Sequence, residues 1–72
     1  MFISLTNASP AHRNKKVILN SANIVSIHRA TVTRAEDDSG ITTIEDITFV
    51  HCPPHGTWEV SETLEEIALL LA

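Results

Sequence analysis

The segment HCPPHGTWEV, residues 51–60, gathers the only cysteine of the chain, two of its four histidines and its only tryptophan. Thiolate sulfur and imidazole nitrogen are ordinary zinc ligands, and His51, Cys52 and His55 supply three of them. The spacing works against a single ion. Adjacent residues on a strand point to opposite faces, so His51 and Cys52 diverge. Cys52 and His55 can meet across the proline turn. A fourth ligand must then come from His28, His12 or a carboxylate, because the chain has no second Cys-x-x-Cys or His-x-x-x-His unit.

The same residues raise a cysteine nucleophile with a histidine base. That chemistry also needs an orienting third group, an oxyanion hole and a cleft. The simpler reading is a turn between strands. Pro53 and Pro54 exclude a helix and stop a hydrogen-bonded ladder, and Gly56 permits the turn. Cys52 then behaves as a small buried apolar residue. The expectation is no catalytic residue, no cofactor and no metal, with a metal-binding module built on HCPPH as the alternative. Trp58 is read as core between sheet and helix, near Leu64 and Ile67, or as a surface anchor, the hot spot of an interface.

The elements that would position this segment are legible as short β-branched runs. FISLT (2–6) and KKVILN (15–20) read as strands forming a hairpin across the loop NASPAHRN. NSAN (20–23) is a turn. IVSIHRATVTR (24–34) is a long strand, AEDDSG (35–40) its polar tip, and ITTIEDITFVHC (41–52) the return strand. Two adjacent carboxylates, Glu45 and Asp46, interrupt that strand and suggest a break or bulge. TWEV (57–60) is the last strand. A helix follows near 64–71: Thr63 is a fitting N-cap, and Glu66 three residues on completes a capping box. Leu64, Ile67, Ala68 and Leu71 fall on one face, which should cover the sheet. The fold class is therefore α+β and mainly β: an antiparallel sheet of four to five strands with one C-terminal helix packed on it, as one domain over 1–72.

Composition sets further bounds. The chain has 72 residues, of which 43% are hydrophobic and 19% charged. A domain this small buries only about 60% of the surface its unfolded chain exposes, so its core is marginal and a partner subunit is a natural supplement. One cysteine excludes an internal disulfide and suits a reducing, cytoplasmic setting. MFISLTNASP lacks the basic and long apolar regions of a secretion signal, and no apolar run approaches the roughly 18 residues of a membrane span. A net charge of -4 argues against general nucleic-acid binding. The charge is segregated: HRNKK (12–16), with Arg13 and Lys15, is basic, whereas Glu36, Asp37 and Asp38 form an acidic tip. Such patches either steer a partner or help like chains associate.

Two stretches resemble a known family. VILNSANIVSI (17–27) is similar to the strand–turn–strand signature of the small FlbD-like flagellar accessory family, with Leu19, Asn20, Ile24 and Ile27 in its places. VSETLEEIALLL (60–71) resembles its closing strand-to-helix element, carried here by Val60, Glu62, Thr63, Glu65, Glu66 and Ile67. FISLT suits its opening strand. The centre, 30–55, is longer and more polar than the family pattern. The resemblance implies a small accessory protein of bacterial, phage or prophage type.

Function at this stage is an expectation: a non-catalytic interaction or adaptor module, homo-oligomeric, that also meets a host or cellular protein. The alternative is a phage- or prophage-encoded inhibitor or sequestering protein acting on a host factor, its acidic hairpin occupying a basic host site or its subunit interface trapping a small charged ligand. Leu69 and Leu70 lie off the sheet-facing row, and burying both at a subunit contact would contribute roughly 3–6 kcal/mol per chain. The candidate interface residues are Leu69, Leu70, Trp58, His55, Glu36, Asp37, Asp38, Arg13 and Lys15.

Overall fold

A computed structural model describes residues 1–35, 40 and 42–72. Strand β1 (Phe2–Thr6) pairs antiparallel with β2 (Lys16–Asn20), Ile3 opposite Leu19 and Leu5 opposite Val17. Strands β3 (Ser26–Ala35), β4 (Thr42–Cys52) and β5 (Gly56–Val60) form a second antiparallel sheet in that order. The helix α1 (Leu64–Leu71) closes the order of elements. The expected fold class holds: among the described residues there are five strands, all antiparallel, and one C-terminal α-helix.

The two sheets meet at one corner. Asn7 bridges Val60, Ala8 N donates to the Glu59 carbonyl, and Ser61 N donates to the Thr6 carbonyl. The Glu62 carboxylate locks this corner by accepting from Thr6 N at 2.8 Å and Thr6 Oγ1 at 2.9 Å. The β1–β2 ribbon thereby brings Ile3, Leu5 and Leu19 against Val50, Cys52, Val60 and Ile67, the apolar core. Val17, Ile24, Ile27 and Trp58 pack around it half-buried.

The β3–β4 register is regular from Ser26 opposite His51 to Ala35 opposite Thr42. The bulge expected at Glu45-Asp46 is absent from it. Alternation sends the two carboxylates to opposite faces, and each finds a partner there: Asp46 accepts from Thr31 Oγ1, Glu45 from Arg13 and Arg34. This long hairpin makes the molecule elongated, 43 × 21 × 19 Å.

The helix starts as its sequence dictates. Thr63 Oγ1 accepts from Glu66 N, and the Glu66 carboxylate accepts from Thr63 N. Its apolar row is shorter than expected. Ile67 is fully buried and Leu64 half-buried, but Ala68 is exposed and Leu71 is 37% exposed. Only the first turn and a half lies on the core, so the last turn projects beyond it.

Candidate functional site

The faces of the three-stranded sheet differ. The inner face carries the rows Ile27–Val50–Trp58 and Arg29–Thr48–Val60. Thr48 is fully buried there; its hydroxyl donates to the Glu62 carbonyl at 2.6 Å and accepts from Arg29 Nη1 at 2.8 Å. That pair of bonds anchors the strand-to-helix link from below.

The outer face carries His28–Phe49–Glu59 and Ser26–His51–Thr57. His28 and Phe49 are direct cross-strand partners, their rings nearly parallel at 11° with centroids 5.0 Å apart. His28 leans along the strand to meet His51: Nδ1 of His28 lies 2.9 Å from Nε2 of His51. His51 Nδ1 in turn lies 3.0 Å from Thr57 Oγ1. Three rings and a hydroxyl thus form one row across three strands. His28 and Thr57 are exposed, and Phe49 and His51 half-buried.

Further along this face runs a ladder of charge. Arg13 grips Glu45 with both terminal guanidinium nitrogens, Nη1 and Nη2, at 2.7 and 3.2 Å. Arg34 joins the same carboxylate at 3.4 Å and also donates to Glu59. The Arg13 hydrogen bond, with the help of Arg34, holds the Glu45 carboxyl below its ordinary range. Hydrogen bonding to Glu59, and then to Glu45, raises Arg34 further above neutrality. The β1–β2 loop is pinned across the sheet by Arg13 and by Ala8 on Glu59, and Ile47 is buried on this face.

His51, Cys52 and His55 separate as alternation requires. His51 joins the outer row, while Cys52 is 3% exposed on the inner side. Burial pushes the Cys52 thiol up, the opposite of what a thiolate nucleophile or ligand needs. Pro53 and Pro54 are joined by a cis peptide, His55 N donates to the Cys52 carbonyl at 2.8 Å, and Gly56 takes a φ of +114°, so the segment is a turn into β5. Among the described residues no group of three or more His, Cys, Asp or Glu side chains is close enough to hold a metal ion.

His55 and Cys52 instead line a cleft of about 320 Å³ at the open end of the core, with Phe2, Ile18, Leu19, Asn20, Asn23 and Trp58. Phe2 is 70% and Ile18 66% exposed on its rim. Trp58 is half-buried, packed against the core on one side and lining the cleft on the other.

The remaining candidates are scattered. Leu69 is 78% and Leu70 41% exposed on the projecting helix end. Arg13 is engaged within the chain by Glu45. Lys15 is exposed, and its carbonyl accepts from both nitrogens of Asn7. Glu36, Asp37 and Asp38 lie outside the described residues. The sequence reading misses the His28–His51–Thr57 row, naming His28 only as an optional fourth ligand, and it misses Phe2 and Ile18. Strand register is the signal that would bring His28 to His51. Comparison with protein-family models, curated proteins and solved structures finds no match to this chain.

Proposed function

We propose that the protein is a non-catalytic interaction module that self-associates through its C-terminal helix and meets a second protein at the Phe2–Ile18–Trp58 cleft. The observation that carries this reading is the exposure of Leu69, Leu70 and Leu71, at 78%, 41% and 37%, on a helix that is anchored on the core by the fully buried Ile67. Three consecutive apolar residues left open at a helix end are costly in a chain of this size unless a partner covers them. A second copy is the partner always at hand, and its helix end offers the same surface. Leu70 is already partly covered, so the contribution of Leu69 and Leu70 is roughly 2–4 kcal/mol per chain. The buried, protonated Cys52 fits a reducing, cytoplasmic setting. The FlbD-like resemblance accords with a small accessory role, since its two motifs act here as a cap and a turn: Thr63 with Glu66, and Asn20 accepting from Ala22 N.

Sedimentation of the parent at micromolar concentration should show an oligomer. Leu69→Glu with Leu70→Glu should shift it to monomer and remove the concentration dependence of its melting temperature. A parent that is monomeric and fully folded at that concentration would overturn the self-association.

A further inference from the structure

The outer-face histidine pair has no role in the interaction reading, and its geometry supports a function of its own. The Nδ1 of His28 and Nε2 of His51 face each other at 2.9 Å, and the rings are within 15° of parallel with centroids 4.9 Å apart. The nitrogens therefore meet nearly edge to edge, each aimed at the other. Such a contact holds one proton between two lone pairs. We propose that this proton's place is also a binding site for a borderline divalent cation of the zinc, copper or nickel class, held by His28 Nδ1 and His51 Nε2.

The distances suit this. Two imidazole nitrogens at the zinc–nitrogen length of about 2.0–2.1 Å and a tetrahedral angle lie roughly 3.4 Å apart. The pair needs to open by about half an ångström and the rings to turn so that both lone pairs converge on the ion, a motion the exposed His28 side chain accommodates. Imidazole is the ligand type this class of ion prefers.

The surroundings favour the required tautomers. Thr57 Oγ1 sits 3.0 Å from His51 Nδ1. With Nδ1–H donating to that hydroxyl, His51 presents the bare Nε2 lone pair outward. His28 then holds the shared proton on Nδ1. When the ion arrives, that proton leaves Nδ1 and another is taken from solvent at Nε2, so neutral His28 becomes its other tautomer with no net change in protons. Phe49, stacked on His28, fixes the plane of the ring. A ligating histidine whose other nitrogen is tied to an oxygen is the usual arrangement at metal sites, and the tie matters for affinity. Thr57 is thus a positioning residue, and His28 and His51 are the ligands.

No third protein ligand joins them among the described residues. Glu59, the nearest carboxylate in the register, is committed to Arg34. Solvent fills the remaining positions, so the ion is exchangeable. The expected dissociation constant is on the order of micromolar, far weaker than that of a closed four-ligand site.

Titration of the purified full chain with zinc(II) by calorimetry tests this. One ion per chain should bind. His28→Gln and His51→Gln should each weaken binding at least tenfold, and the double variant should lose little more, because a two-point chelate fails when either point is lost. Thr57→Val should weaken it about 10–100-fold, and Thr57→Ser should restore it. His12→Ala with His55→Ala should leave it unchanged. Melting curves without metal confirm that each variant folds. Absence of binding below millimolar zinc would overturn the site, as would binding that survives both His28→Gln and His51→Gln but is lost in His12→Ala with His55→Ala.

Discussion

The inner and outer faces of the β3–β4–β5 sheet share one backbone and one register, yet they are held by different physics. On the inner face Val50 and Val60 are fully buried against Ile67 of the helix, and Thr48, a fully buried polar side chain in the same layer, has both of its bonds made. On the outer face rings and charges hold each other in view of solvent: Phe49, His28 and His51 in one row, then Glu59, Arg34, Glu45 and Arg13 in another. Apolar burial is strong and nearly independent of pH and salt. An exposed polar row is weak, screened and responsive to solution conditions. The apolar core cluster lies on the inner side, whereas the outer face, apart from the buried Ile47, is held by rows of rings and charges. That is why the candidate chemistry lies on the outer face, where a side chain can move without opening the core.

The comparison is broken hardest at Ile67. It is fully buried and joins the helix to both sheets through the core. Ile67→Ala should cost about 2–5 kcal/mol, a large share of what a small domain possesses. Ile67→Val should cost only about 0.5–1.5 kcal/mol. Thermal melts of the two variants check the gradation; equal melting temperatures would place the helix outside the cooperative unit.

Thr48 sharpens the comparison, because it is a polar group obeying inner-face rules. Thr48→Val keeps the volume but removes the donor to the Glu62 carbonyl and the acceptor for Arg29. The loss should be about 0.5–1.5 kcal/mol, the net worth of such a hydrogen bond, because Arg29 is exposed and its Nη1 still reaches the Glu62 carbonyl at 3.2 Å. Thr48→Ser, which keeps the hydroxyl, should recover most of it. Denaturant unfolding of the three proteins reads this directly.

The two faces were not equally legible in the sequence. The inner layer was: β-branched runs place the strands within a residue or two, and Thr63 with Glu66 marks the start of the helix. Local chemistry decides those features, so local reading finds them. The outer face depends on register, and register depends on how many residues the hairpin tip consumes. The polar run puts the tip at 35–40, whereas the ladder runs on to Ala35 opposite Thr42, and composition assigns no cross-strand pairing, so His28 and His51 stayed apart, as did Arg34 and Glu59. Glu45-Asp46 misled for a related reason. Two carboxylates in a strand look like a defect when hydrophobicity is taken to set the alternation, but here alternation only sorts them to different faces. Glu45 finds Arg13 from a loop 32 residues away in sequence. The helix row was overestimated at Ala68 and Leu71 because periodicity gives a direction but not how far the surface beneath extends.

The smallest effect, and the one that best separates the faces, lies at Glu45. Arg13 and Arg34 hold its folded-state carboxyl below the ordinary range. A depressed carboxyl contributes stability that is fully present above its unfolded value and is lost as pH falls through its folded value. Glu45→Gln removes that contribution, so at neutral pH the variant should melt slightly below the parent, by less than Ile67→Val does. As pH falls through the acidic range the parent should lose its advantage and the two curves converge. Added salt at neutral pH should narrow the same gap, because these ion pairs face solvent. Ile67→Val, in contrast, should keep a constant offset from the parent across both titrations. Melting temperatures measured against pH and against salt check this. A Glu45→Gln gap that does not change with either would mean the ladder acts through packing, and the two faces would then be governed by the same physics.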